Sequence, residues 1–157
     1  MDKAERRKEM DQLLTRWAAV EQVCADKHRD IASLQELIQG ADGVRAQVLT
    51  GMPHGGPSVD IVSRMAEVME EYQQQINRIR ESIHDMLVFQ ALVGDAVDLL
   101  PEDQRRVIRL YYLEHLTLEQ KIPEAMHYCQ RTCYYLRNKA LDHLAETLQG
   151  IAGLSVV

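Results

Sequence analysis

The chain has 157 residues and a formal net charge of −6, and its 46% of hydrophobic residues is enough to bury the core of one domain or of two small ones. The negative charge argues against a protein whose whole surface coats nucleic acid, because non-specific DNA affinity comes mainly from neutralised phosphates. It leaves room for a local basic face. Few residues are aromatic and many favour helices, so we predict an all-α fold.

The amino terminus has no features of a membrane or export segment. No stretch approaches the roughly 18 apolar residues that a membrane span needs, and Met1–Arg7 is largely charged without an apolar signal core. We interpret the charged run Glu5–Glu9 as a solvated helix end, and we expect a cytoplasmic protein with no membrane partner. Three cysteines at irregular spacing favour reduced thiols over disulfides.

Two long segments repeat apolar residues in alternating steps of three and four. The first covers residues 10–38 with one polar interruption at Lys27, and the second covers residues 62–93 with one at Gln90. Spacing of this kind is a heptad pattern, which is typical of long helices that pack side by side. We therefore predict two long helices in the amino-terminal part of the chain.

The segment between the two predicted helices is rich in residues that interrupt helices. Five glycines and two prolines lie between Gly40 and Ser58, so neither helix is expected to continue through it. Helices of similar length with such a connector most simply form an antiparallel coiled-coil hairpin. We predict a helical hairpin over residues 1–94, with a Gly/Pro-rich loop at 40–58, that serves oligomerisation or partner binding.

Additional apolar residues beside the heptad positions widen the apolar stripe beyond what two helices usually need. Either a second chain covers them in a homodimer with a four-helix interface, or the carboxy-terminal part of the chain packs there. We favour the homodimer. The residues concerned are Leu14, Ala18, Val23, Leu37, Ile61 and Val68.

A second unit is predicted over residues 95–149, with three helices, followed by a frayed tail at 150–157. Thr117 is expected to start its second helix, with Gln120 in a capping-box position, and the third helix runs from Gln130 to Leu144. The apolar stripe of the first helix consists of Val107, Ile108, Leu110, Tyr111 and Leu113.

Three stretches of this unit carry a resemblance to a known family, namely Leu100–Tyr112, Leu116–Glu119 and Cys129–Leu141. They resemble region four of bacterial sigma factors. Within that superfamily the chain is more similar to the RinA/ArpU-type phage and prophage transcriptional regulators, which join a helical amino-terminal region to such a module. The loop residues Gly51–Gly55 also resemble that family. The resemblance implies a helix-turn-helix that places its last helix in the major groove of DNA.

Two residues depart from the family pattern. Pro123 falls inside the helix that Thr117 is expected to start, where the missing backbone donor costs roughly 3 kcal/mol in an interior position. We expect this helix to be kinked or restarted at Pro123. Cys129 occupies the amino cap of the third helix, where the family usually has serine and where a thiol accepts hydrogen bonds poorly.

The outward face of the third helix offers amide, guanidinium and hydroxyl groups of the kinds that contact bases and phosphates. Gln130, Arg131 and Tyr134 lie in its amino-terminal part, which meets base edges in docked modules, whereas Arg137 and Lys139 are better placed for phosphates. The predicted DNA-binding residues are Gln130, Arg131, Thr132, Tyr134, Tyr135, Arg137, Asn138 and Lys139. The predicted buried face consists of Cys133, Leu136, Ala140, Leu141 and Leu144.

Metal-ligating residue types occur twice at helical spacing, as Cys129 and Cys133 near His127, and as Cys24 with His28. Neither group reaches four ligands, so we interpret Cys24 and Cys133 as core residues and predict no metal site. The chain has no Gly-rich phosphate loop, nucleophile elbow or paired histidine-acid motif. We therefore predict that it is not an enzyme and uses no cofactor.

These features predict a sequence-specific DNA-binding transcriptional regulator of phage or prophage origin, which the resemblance implies to be a late-gene activator. Its expected partners are double-stranded DNA, a second copy of the chain and RNA polymerase. Two alternatives stay open. One is a DNA-packaging protein like a terminase small subunit, and the other is a protein-interaction module that has lost DNA binding.

Overall fold

The computed structural model describes residues 2–50 and 59–149, and it describes the side-chain surroundings of residues 2–44 and 60–149. Within these residues the structure is helical and contains no strand, which confirms the predicted all-α class. The helices are α1 (Lys3–Thr50), α2 (Val59–Asp98), α3 (Glu102–Ile108), α4 (Lys121–Met126) and α5 (Gln130–Gln149), and a π-helical turn (Arg109–Leu113) extends α3. None of the described helices is both long and apolar enough to cross a membrane.

The chain divides into two compact units, and each of the two long helices contributes to both. One unit, here the terminal unit, combines Met1–Glu21 with Met86–Val157; the other, here the hairpin unit, is Gln22–Asp85. The packing units therefore do not follow the predicted division at residue 95. The start of α1 and the end of α2 are packed together with the carboxy-terminal helices.

The heptad positions of both long helices lie where the spacing places them. Every predicted position in 10–38 and 62–93 is buried or half-buried. In the hairpin unit the buried ones are Cys24, Ile31, Ile76 and Ile83. Lys27, the polar interruption of the first repeat, is half-buried and donates a hydrogen bond from Nζ to the hydroxyl of Ser82 on α2. The interruption thus still contributes to the contact between the helices.

The additional apolar residues differ between the two units. Leu14, in the terminal unit, is fully buried within the chain. Leu37, Ile61 and Val68, in the hairpin unit, have 50%, 48% and 40% of their surface exposed. In the terminal unit, therefore, residues of the same chain cover Leu14. In the hairpin unit, Leu37, Ile61 and Val68 stay exposed within one chain.

The predicted interruption at residues 40–58 begins too early. Helix α1 continues through Gly40 and Gly43 to Thr50, and α2 begins at Val59. A side chain at Gly40 or Gly43 would meet nothing within 4 Å, so no packing requirement explains these glycines. Single glycines within a helix cost about 1 kcal/mol each, which a long packed helix tolerates. The family-like loop residues Gly51–Gly55 lie outside the described residues.

Replacing Gly40 tests whether α1 extends to Thr50. We expect Gly40→Ala to raise the free energy of unfolding by up to about 1 kcal/mol, because alanine is the better helix former and its methyl group has open space. Gly40→Pro should instead cost about 3 kcal/mol or more. Urea unfolding followed by circular dichroism measures both. If neither substitution changes stability, residues 40–50 are not helical in solution.

Candidate nucleic-acid interface

Within the terminal unit, α3, the π-helical turn, α4 and α5 are helical elements that follow one another along the chain. Both α3 and α4 pack against α5. The apolar cluster that joins them comprises Val107, Leu118, Ile122, Met126 and Cys133. The predicted inner face of α5 is confirmed, since Cys133, Ala140, Leu141 and Leu144 are buried and Leu136 is half-buried against this cluster. The position of α5 is therefore fixed by the apolar core of its own unit.

The end of α3 differs from the predicted stripe because of the π-helical turn. The amide of Glu114 donates to the carbonyl of Arg109 at 3.1 Å, a bond that spans five residues instead of four. The wider turn changes which side chains point inward. Tyr112 is buried, whereas Leu113, predicted to be buried, has 45% of its surface exposed.

Helix α4 begins later than predicted. Its first residue is Lys121, whose amide donates to the Thr117 hydroxyl at 3.3 Å, while the Ile122 amide donates to the Thr117 carbonyl at 2.9 Å. The predicted helix start at Thr117 is therefore wrong. Pro123 falls in the first turn of α4, where an N–H has no partner within the helix, so its missing donor costs little there.

The turn between α4 and α5 contains a strained residue and a thiol cap. His127 ends α4 in the left-handed conformation with φ of 57°, which ordinarily favours glycine. Cys129 precedes α5, and its thiol lies 3.1 Å from the Thr132 hydroxyl. Hydrogen bonds from the Thr132 side chain and backbone lower the pKa of the Cys129 thiol. Cys129 thus lies at the start of α5 and contacts Thr132 in its first turn.

The open face of α5 carries four of the eight predicted DNA-binding residues. Arg131, Tyr135 and Lys139 are exposed, and Asn138 beside them is half-exposed. Steps of four residues place these side chains on one side of the helix. The ammonium group of Lys139 lies 5.8 Å from the centre of the Tyr135 ring, so these two side chains are neighbours. This face contains two cations and no carboxylate between residues 130 and 139.

The remaining predicted residues lie at the amino end of α5 or beside the open face. Gln130 is exposed at the start of the helix, and Thr132 is half-buried and engaged with the cap. Tyr134 is half-buried, and its hydroxyl donates a hydrogen bond of 2.5 Å to Glu119 in the turn before α4. Tyr134 is therefore directed toward that turn, away from Arg131 and Lys139.

Arg137 makes a different contact from the one predicted. Its guanidinium donates to Asp11 on α1 at 2.7 Å and lies 4.8 Å from the centre of the Tyr111 ring. Only 18% of its side chain is exposed. The Tyr112 hydroxyl donates to the same carboxylate oxygen at 2.5 Å, and burial raises the pKa of Tyr112. Arg137, Asp11, Tyr111 and Tyr112 form a cluster, here the Arg137 cluster, that joins three parts of the unit.

A second contact between α1 and α5 lies near the carboxyl end of α5. Arg7 holds Asp142 with two hydrogen bonds of 2.8 and 2.7 Å, and Lys3 adds a contact of 3.3 Å. The Arg7 bond is the main reason that the pKa of Asp142 is lowered. Sequence reasoning missed both Asp11 and Arg7, because neither carries a local motif. Their position on the first turns of an amphipathic helix was the only available signal.

The described residues contain no group of three histidine, cysteine or acidic side chains that could hold a metal ion. Cys24 and Cys133 are buried, as interpreted from the sequence, whereas Cys129 is exposed. In comparisons with known proteins, no family model matches the chain, and neither a curated protein nor a solved structure shows significant similarity to it. The site must therefore be interpreted from its own geometry.

Arg137→Met tests whether this residue serves packing or an outside ligand. We expect the free energy of unfolding to fall by about 1 to 2 kcal/mol, because Asp11 loses its charged hydrogen-bond donor. The loss is limited because 38% of the Asp11 side chain is exposed to water. Chemical unfolding measures the loss. Lys139→Met, on the open face of the same helix, should leave stability unchanged. Equal stabilities for the two variants would show that the Arg137 cluster does not hold α1 to α5.

Proposed function

We propose that this protein is a sequence-specific DNA-binding transcriptional regulator in which α5 is the recognition helix. One observation carries the proposal: α5 is anchored by a buried core while Arg131, Tyr135 and Lys139 stand exposed together on its outer side. A rigid helix with basic and hydrogen-bonding side chains on an open face is what reading the major groove requires. The negative net charge does not oppose this, because the cations are local.

The origin and the direction of regulation rest on the resemblance alone. The similarity of Leu100–Tyr112 and Cys129–Leu141 to RinA/ArpU-type regulators supports a phage or prophage protein that activates late genes. RNA polymerase is then a natural partner of the activator.

The structure leads us to redistribute roles among the predicted contacts. We assign base reading to Arg131, near the start of α5, with Gln130 beside it, and phosphate contact to Lys139. Arg137 is withdrawn from the phosphate contacts because its guanidinium is committed to Asp11. Tyr134 keeps a base-contacting role only if its bond to Glu119 is released.

Arg131 and Lys139 should respond differently to alanine substitution. We expect Arg131→Ala to cost about 1 to 3 kcal/mol on a preferred site obtained by DNA selection, and less on random DNA, because a base contact discriminates between sequences. Lys139→Ala should weaken both complexes alike. It should also reduce the slope of log affinity against log salt by about one unit.

Arg78→Ala is the matched control, since Arg78 is an exposed arginine of the hairpin unit. It should leave affinity and salt slope unchanged. If selection enriches no motif and the two α5 variants bind as the parent chain does, the recognition-helix assignment is wrong. The protein-interaction module is then the better interpretation. One observation already supports that alternative. A DNA-binding helix would present side chains such as Arg137 and Tyr134 to DNA, but here they donate hydrogen bonds to Asp11 and Glu119 of the same chain.

Homodimerisation through the hairpin unit is the second part of the proposal. The exposed residues Leu37, Ile61 and Val68 offer an apolar surface that a second copy would cover. We expect Val68→Glu to convert dimers to monomers in sedimentation, because burying the new charge is unfavourable. Gln74→Glu adds the same charge on another side of α2 and should leave the dimer intact.

The oligomeric state of the unsubstituted protein distinguishes the homodimer from the DNA-packaging alternative. If it sediments as a monomer at all concentrations, the homodimer is wrong. A closed ring of many copies would instead favour the packaging protein, whose DNA-binding helices act from an oligomer.

A further inference from the structure

The beginning of α1 and the second half of α5 enclose a cleft of about 460 Å³ within the terminal unit. Its lining is largely charged, and two of its cations, Lys3 and Arg6, come from the start of α1. Arg6 belongs to the charged run Glu5–Glu9 that the sequence indicated as a solvated helix end. Lys139, the proposed phosphate contact, lines the same cleft. The remaining charged or titratable residues in the lining are Asp142, His143 and Glu146.

The charges of this cleft do not simply cancel. Asp142 is already neutralised by Arg7, which binds it through two hydrogen bonds, and by Lys3 at 3.3 Å. Among residues 2–50 and 59–149, neither Arg6 nor Lys139 forms an ion pair with a carboxylate. Both side chains are exposed. Glu146 is the one further acid in the lining, so the cleft retains cations available to an anion from outside.

We infer that Arg6 of α1 is a second phosphate contact of the DNA interface. It lies across the cleft from Lys139. This inference rests on the proposed function, because it takes α5 to lie in the major groove with Lys139 toward the phosphate backbone. Arg6 and Lys139 line the same cleft, so a phosphate bound at Lys139 would have Arg6 on the facing wall. The planar guanidinium of Arg6 suits a phosphate oxygen pair. The DNA-binding surface then includes residues from both ends of the chain.

The geometry of α1 supplies a matched control. Lys8 is an exposed cation two residues from Arg6, but at 3.6 residues per turn it lies roughly 200° around the helix, away from α5. Removing Lys8 changes the net charge of the protein as much as removing Arg6 does. Any difference in DNA binding between the two variants therefore reflects the position of the lost cation and not the total charge of the protein.

The test measures binding of the full-length protein to a short random-sequence DNA duplex over a series of salt concentrations. We expect Arg6→Ala to reduce the slope of log affinity against log salt by about one unit, as one fewer phosphate is neutralised. Arg6→Lys keeps the charge and should restore the slope. Lys8→Ala should resemble the parent chain. Circular dichroism should show all variants folded, since Arg6 and Lys8 are both exposed.

The outcomes separate this inference from the proposed function. If Lys139→Ala lowers the slope while Arg6→Ala behaves like Lys8→Ala, Arg6 is not a contact but α5 still binds DNA. If Arg6→Ala and Lys8→Ala reduce the slope equally, the effect is one of total charge and the inference is overturned. If the parent chain does not bind the duplex, both the inference and the proposed function fail.

Discussion

A guanidinium that is largely removed from water depends on partners within the protein, since an unpaired buried charge costs several kcal/mol. Arg137 finds them on elements far apart in sequence: it donates a hydrogen bond to the carboxylate of Asp11 on α1, and its guanidinium lies against the Tyr111 ring of the π-helical turn, while its Nε is buried without a hydrogen-bond partner. The pair does not explain stability by itself, because buried ion pairs often contribute little net energy. It does explain specificity of packing. Other placements of α1 against α5 leave either Arg137 or Asp11 without its partner.

The π-helical turn contributes directly to this pairing. The Tyr111 ring lies against the Arg137 guanidinium, and the Tyr112 hydroxyl shares the Asp11 carboxylate with Arg137. Turns of this kind are often found at functional positions in helices. Here one short segment packs against the apolar cluster beneath α5 and also contacts α1.

Sequence reasoning succeeded where the determinant was local. The heptad spacing gave the buried positions of α1 and α2, and the inner face of α5 followed from the same periodicity. It failed where local rules compete with packing: Gly40 and Gly43 suggested a loop within what is helix, and Thr117 suggested a helix start that the chain delays to Lys121. The Arg137 cluster was not predictable, because no pattern in a single sequence relates Asp11 to a residue 126 positions later.

The same distance along the chain has a consequence for how the protein is made. On the ribosome, the apolar stripe of α1 emerges first, yet the side chains that pair with Arg7 and Asp11 are synthesised 135 and 126 residues later. Closing so long a loop is entropically costly, and contacts of this separation slow folding. The terminal unit therefore completes its packing only after α5 has left the exit tunnel. Until then Arg7 and Asp11 on α1 have no partner from α5.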